Sequence, residues 1–215
     1  SVVHTPPPAA FYEFDDLVLS RAIASASRDV CQGEILQTQR HFDLTLTRQD
    51  YFEIIGMKTG ALFAAATDLA AYLSGVSTEV RDAMRDFGMK LGTAYQIYDD
   101  CLDLVGSEEQ FGKTLRTDLE KGKLTLPMLY LLEEAGDNQR DILQKRIIQQ
   151  EKLDLTVLAG IAEYQGAIAR SLDHASTLLH EAGETLTLLG DSSYREALAE
   201  MLRFLAGLLA TLQKG

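Results

Sequence analysis

The sequence predicts an all-α protein, and three observations carry that prediction. Only four prolines occur, three of them consecutive at Pro6 to Pro8, so the rest of the chain is almost free of the residue that breaks helices. Ala and Leu, both strong helix formers, are abundant. Apolar residues recur near 3.6-residue spacing in one stretch after another, with Gly, Ser, Thr and Asp at the places where helices stop and start. With 215 residues, the chain is long enough for one sizeable core. No repeat, low-complexity tract or linker divides it, so residues 1–215 read as a single helical domain.

Residues 1–10, with their proline run, read as an irregular lead-in, and His4 carries no role. A helix is expected from about Phe14 to Thr45, on Leu17, Ile23, Val30, Cys31, Ile35 and Leu36. Asp15 and Asp16 read as acids complementing its N-terminal dipole. Thr47 with Asp50 has the form of a capping box, and the helix it starts runs from about Arg48 to Leu73. Ser74 and Gly75 stop that helix. Ser77 or Thr78 caps the next, from about Glu79 to Val105, where Gly88 and Gly92 allow close approach by a neighbour. Gly106 ends it. Residues 107–122 form a long loop of the kind that usually serves function. A helix restarts over Leu124 to Ala135, with Pro127 tolerable in its first turn. Asp137 or Asn138 caps a helix to about Gln150. Long helices follow from about Thr156 to Leu189 and from Tyr194 to Gln213, the latter capped by Asp191 or Ser192. His174 and His180 have no ligand partners at helical spacing and read as surface or packing residues.

Chemistry concentrates between residues 92 and 127. Asp99, Asp100 and Asp103 lie in an otherwise apolar helix, with Asp99 and Asp103 on one face and Asp100 at its edge. Gln96 lies one turn upstream. Such a cluster repels itself unless a cation sits among the carboxylates, and Leu102, Ile97, Leu104 and Ala94 leave little of the helix free to be a solvated face. Hard oxygen ligands with room for water suit Mg²⁺, which characteristically bridges to a substrate phosphate. The loop beyond carries Lys113, Asp118 and Lys123 among glycines, and it suits a flap over that phosphate. In isolation the two lysines read as ordinary loop solubility; their fixed spacing from the aspartates favours the phosphate. On residue logic alone, Lys58 and Thr59 read equally as a polar spot facing a cavity and as a lysine at the bundle rim. Gly33–Gln37 reads as a close-packed helix with polar residues facing water.

The stretch Tyr95, Gln96, Asp99, Asp100, Asp103, Gly112, Lys113, Asp118, Leu119, Gly122, Lys123, Thr125, Leu126, Pro127 resembles the second aspartate-rich motif and following loop of the trans-isoprenyl diphosphate synthases. Tyr95 replaces the usual Phe, and Arg116 stands where a Gly is frequent. The likeness extends over residues 14–215. It implies an isoprenoid-synthase-like helical bundle, represented by its C-terminal two-thirds. It also implies Mg²⁺-dependent ionisation of an allylic diphosphate and head-to-tail condensation with homoallylic isopentenyl diphosphate. By the same resemblance Asp99 and Asp103 ligate Mg²⁺ with Asp100 in support. Lys58, Lys113 and Lys123 meet diphosphate, and Gln37, Thr59 and Gln96 line the cavity. It further suggests a homodimer and peripheral membrane contact through the apolar product. The family's first aspartate-rich motif has no counterpart before Gly33. The chain is therefore expected to be an incomplete synthase domain that does not turn over alone: a piece of a longer protein, or a natural short form acting as a partner subunit.

A net charge of −12 argues against a nucleic-acid partner. Cys31 and Cys101 read as two reduced core thiols. No run of 18 apolar residues predicts a membrane span, and no signal-peptide pattern opens the chain, which makes the cytoplasm the default compartment. Three other readings compete. A regulatory subunit need not keep the carboxylate cluster. A terpene cyclase calls for an asparagine–serine–glutamate metal triad on a late helix, which is absent. A helical scaffold without chemistry would tolerate loss of Asp99 and Asp103.

Overall fold

A computed structural model describes residues 16–106, 117–151, 153 and 155–214. No strand occurs among them. Helix α1 spans Leu17–Gln39 and α2 Arg48–Ile55; a π-helical turn, Gly56–Gly60, joins α2 to α3, Ala61–Leu73. The longest helix, α4, spans Thr78–Val105. There follow α5 (Thr117–Glu120), α6 (Leu126–Glu134), α7 (Asp137–Ile148), α8 (Leu155–Ile161), α9 (Gln165–Thr185) and α10 (Ser193–Lys214).

Helix α4 is the axis of the bundle. Its Phe87, Leu91, Ala94, Ile97, Cys101 and Leu102 are buried, and α3 and α9 pack along it on two sides. Close approach comes from small residues. A Cβ on Gly88 would lie 2.7 Å from the carbonyl carbon of Phe63 on α3. A Cβ on Gly33 of α1 would lie 2.6 Å from the backbone nitrogen of Lys58. Helix α1 therefore rests directly on the π-turn.

The ends of the elements follow local chemistry. Asp16 caps α1, its carboxylate accepting from the Val18 N–H, so α1 is shorter than the expected Phe14 to Thr45. Residues beyond Gln39 turn instead, with Asp43 accepting from Thr45 N–H and Oγ1 and from Arg40. Thr47 and Asp50 form the expected capping box, and Ser77 caps α4. Helix α7 is capped differently from expectation, by Gln139 reaching back to the Gly136 N–H. The expected single helix from Thr156 to Leu189 is broken between Ile161 and Gln165. There the Glu163 carboxylate accepts from the backbone N–H groups of Gln165 and Gly166 and starts a new helix.

The Arg48–Leu73 stretch is long and apolar enough, by length and composition, to cross a membrane. Here it packs against α1 and α4, and its Asp68 is buried on the guanidinium groups of Arg81 and Arg85, as in a core helix. Of the two thiols only Cys101 is in the core; Cys31 is exposed on α1, contrary to expectation. His174 is a packing residue, stacked on Phe52 at 4.6 Å between centroids.

Candidate active site

Three segments, joined by Tyr51 of α2, converge on the middle of α4. Helix α1 brings Glu34 and Gln37, the π-turn Lys58 and Thr59, α4 Gln96 and the three aspartates, and the 117–125 segment Asp118 and Lys123. A π-turn inserts an extra residue into the helical register and is frequent at functional sites. Here it lets two adjacent side chains reach two different helices. Lys58 Nζ donates to Gln37 Oε1 at 2.8 Å and pairs with Glu34 at 3.1 Å. Thr59 Oγ1 donates to Gln96 Oε1 at 2.7 Å.

The network continues into the aspartates. Gln96 Nε2 donates to Asp100 Oδ1 at 2.9 Å. Lys123 Nζ donates to the same oxygen at 2.7 Å and to Asp118 Oδ2 at 2.8 Å. The Tyr51 hydroxyl donates to Asp100 Oδ2 at 2.7 Å. Asp103 Oδ2 accepts the backbone N–H of Asp118 at 3.1 Å, which ties the returning segment to the motif helix.

Burial corrects the expected arrangement of the three acids. Asp100, expected at the edge of the face, is 1 % exposed and points into the core. Asp99 is half-buried. Burial pushes the Asp100 carboxyl upward, opposed by the facing Lys123 ammonium and the Tyr51 phenol. Burial would lower Lys123, but the carboxylates of Asp100 and Asp118 outweigh it and hold its ammonium above the ordinary lysine range. The Tyr51 phenol is held well above its ordinary value by burial and by the adjoining Asp100 charge. Lys123, expected on a diphosphate, is thus first a partner of two carboxylates, with its side chain only 11 % exposed. An ammonium has three N–H donors, and these pairs use two.

Tyr51 and Glu34 were not legible as site residues. Tyr51 lies seven positions before Lys58, a spacing that places both on one helix face, but nothing local pairs it with an aspartate 49 residues away. Lys113 and Gly112 lie outside the described residues.

Between α3, α4 and α10 lies an apolar groove of about 540 Å³, lined among others by Phe63, Leu91, Tyr95, Met201, Phe204 and Leu208. Tyr95, on its wall, is one turn before Asp99 on α4.

The polyprenyl synthetase family profile matches residues 9–164. The chain belongs to the polyprenyl synthetase family. It is 36% identical to a short chain isoprenyl diphosphate synthase of Methanothermobacter thermautotrophicus over 81% of this chain and 54% of that protein. It is 31% identical to an all-trans-nonaprenyl-diphosphate synthase (geranyl-diphosphate specific) of Rhodobacter capsulatus, over 89% of this chain and 58% of the relative. Among solved structures, a polyprenyl synthase from Caulobacter crescentus complexed with calcium and isoprenyl diphosphate superposes with a TM-score of 0.82. It is 33% identical, and the match covers 91% of this chain and 60% of that one. A decaprenyl diphosphate synthase from Rhodobacter capsulatus gives the same TM-score at 27% identity. The bundle is therefore the isoprenoid-synthase fold expected from the motif, and the chain spans little more than half the length of these curated relatives.

Within the polyprenyl synthetase fold, the donor set fits a divalent cation held in part by the protein. Among the described residues no three His, Cys, Asp or Glu side chains converge into a complete cage. Mg²⁺ does not require one: it keeps several waters and is usually held by one or two carboxylates plus substrate phosphate oxygens. Asp100 is committed to Lys123, Gln96 and Tyr51; Asp99 and Asp103, one turn apart, are the other two carboxylates of the motif.

Proposed function

We propose that this chain is the metal- and diphosphate-binding part of a prenyltransferase that condenses isopentenyl diphosphate with an allylic diphosphate, extending the chain head to tail. The observation that carries this reading is the sorting of the three motif acids. Asp100 is neutralised internally by Lys123 at 1 % exposure, Asp103 accepts the Asp118 N–H, and Asp99 is half-buried one turn before Asp103. The solved relative complexed with calcium and isoprenyl diphosphate supports it.

Asp99 and Asp103 would hold Mg²⁺, which when bound draws charge from the departing diphosphate as a Lewis acid. Lys58 sits across the site on Gln37 and Glu34 and offers an ammonium to a diphosphate oxygen. The remaining N–H of Lys123 offers another, and Lys113 a third. Thr59 and Gln96 are fixed by their mutual hydrogen bond and line the cavity where the allylic carbon would sit. Preorganised donors of this kind stabilise developing charge without reorganising during the reaction. The apolar groove by Tyr95 would take the hydrocarbon tail, where water is excluded from a reactive cation. Exposed Leu17 and Ile35, on one side of α1, offer an apolar stripe to a second copy in a homodimer.

The test is turnover. Purified protein is incubated with Mg²⁺, isopentenyl diphosphate and a short allylic diphosphate, and the products are analysed by mass spectrometry. The complete protein is expected to yield prenyl diphosphates lengthened by five-carbon units. Failure of the complete protein both to turn over and to bind diphosphate in the presence of Mg²⁺ would overturn the reading.

A further inference from the structure

The turn beneath Lys123, whose ammonium reaches Asp100 and Asp118, is packed against a residue from a different part of the chain. Gly122 has φ +77° and Phe42 has φ +59°. For glycine this is free, but for a bulky residue the left-handed region costs roughly 1–2 kcal/mol and is a true outlier. Such strain persists only where its surroundings over-determine it.

Those surroundings are specific. The Phe42 N–H donates to the Gly122 carbonyl at 2.7 Å. The Phe42 ring covers Gly122 so closely that a Cβ there would lie 2.5 Å from ring atoms Cδ2 and Cζ. The Gly122 N–H is turned back onto Leu119 O at 3.0 Å, and the Lys123 N–H onto Asp118 O at 2.9 Å. The corner that carries Phe42 is itself fixed: Arg40 N–H bonds Leu36 O, Asp43 N–H bonds Arg40 O, and the Asp43 carboxylate accepts from Thr45. The space enclosed by Gln37, Arg40, Tyr51 and Lys123, among others, is a void of only about 10 Å³, room for one water at most.

We propose that Phe42 is a positioning residue for Lys123. Its N–H and ring clasp Gly122 and so deliver the ammonium to the Asp100–Asp118 pair. Through the same corner, the end of α1 that holds Lys58 by way of Glu34 and Gln37 is coupled to the turn that holds Lys123. The two cations of the site then share one mechanical support. The consequence for catalysis rests on the prenyltransferase reading; the clasp itself does not.

The experiment reads Lys123 directly, without turnover. Full-length protein is reductively methylated with formaldehyde and a borane, and modification of each lysine is followed by peptide mass spectrometry. Lys90, paired with Asp86 and Glu181, is the internal control. Gly122→Ala forces a methyl group against the ring and strains φ. It is expected to raise Lys123 modification about tenfold, the ratio that a strain of that size imposes on local opening, with Lys90 unchanged. Phe42→Gly relieves the φ strain but removes the ring, and is expected to raise Lys123 modification by itself. Phe42→Gly/Gly122→Ala is expected to be less than multiplicative, because the clash has gone. Lys123 as protected in Phe42→Gly as in the wild type overturns the proposal, even if Gly122→Ala does not fold. Independent, multiplicative effects of the two substitutions overturn it too. Because no substrate is present, this result stands whether or not the chain proves to be a prenyltransferase.

Discussion

Lys123→Met separates two roles for this lysine by the size of its stability effect. If the ammonium mainly waits for substrate, methionine of similar length is nearly neutral for folding and damages only binding. The structure predicts otherwise. Lys123 is 2.7 Å from an Asp100 carboxylate that is 1 % exposed. Removing one partner of a buried ion pair leaves the other uncompensated and costs about 3–5 kcal/mol. Tyr51 and Gln96 still donate to Asp100, so the low end, about 3 kcal/mol, is expected. For a chain of this size that is a fall in melting temperature of about 6–12 °C, followed by circular dichroism. Lys123→Met/Asp100→Asn removes the stranded charge and should recover a large part of the loss. The pH dependence has a definite sign. Without Lys123 the folded-state pKa of Asp100, already raised by burial, rises further above its unfolded value. The penalty is then full above the folded pKa and fades as pH falls through it, so the variant approaches the wild type in acid. A single variant within about 1 kcal/mol of wild type at neutral pH, well below the range for breaking a buried pair, or a double variant no better than the single, would refute the assignment of Lys123 to Asp100.

Three further outcomes follow from the geometry. Tyr51→Phe keeps the ring but leaves Asp100 Oδ2 without its 2.7 Å donor; it should cost about 1–3 kcal/mol in denaturant unfolding, and a neutral result would remove Tyr51 from the network. Asp99→Asn and Asp103→Asn should leave the melting temperature within a few degrees but weaken Mg²⁺-dependent diphosphate binding at least about tenfold by calorimetry, since even outer-shell partners of bound metals are worth that much; unchanged binding would exclude them as ligands. Arg81, then Arg85, holds the buried Asp68 carboxyl below its ordinary range against the opposing effect of burial, so its contribution to stability is present above the unfolded value near 3.9 and is lost as pH falls through the still lower folded value; Asp68→Asn should flatten the acid limb of the stability curve, and an unaltered limb would contradict the pairing.

The helices were legible because their signals are local. Thr47 with Asp50, Ser77 and the stop at Ser74–Gly75 all act within a turn of their own position, and the structure realises each. The break at Glu163 was not legible, because the apolar period runs through it and only a carboxylate turning onto two backbone N–H groups interrupts it. Cys31 followed the apolar period of α1 yet lies on its exposed side: when a helix carries apolar residues around most of its circumference, periodicity cannot say which stripe faces the core. At the site, spacing grouped the aspartates with Gln96 and Lys123, and the family resemblance added Lys58 and Thr59, but neither showed how the residues pair. Asp100 is buried because Tyr51 and Lys123 meet it from 49 residues upstream and 23 downstream, and no window along the chain contains both.

On the prenyltransferase reading, the division of labour among these residues would let an acidic protein assemble a site for an anionic substrate. Were all three motif carboxylates exposed to one cation, their mutual repulsion would have to be met wholly by metal, and the empty site would be destabilised. Here one of the three is neutralised by the protein itself. The neutralising lysine is bolted to a second acid, Asp118, and the N–H of that residue is bonded to the third, Asp103. The network thus fixes Asp103 through the charge it cancels on Asp100. On the prenyltransferase reading, Asp99 and Asp103, one turn apart, would hold a small divalent cation whose other coordination positions are filled by water and diphosphate oxygens. A cation bound that weakly by protein alone should bind much more tightly once diphosphate supplies the missing oxygens. The measurable consequence is reciprocal: Mg²⁺ raises diphosphate affinity by the same factor as diphosphate raises Mg²⁺ affinity. Titrating each in the absence and presence of the other by calorimetry gives that factor twice. Tight Mg²⁺ binding without diphosphate would mean a protein-made cage, and would show that Asp100 leaves Lys123 to join it.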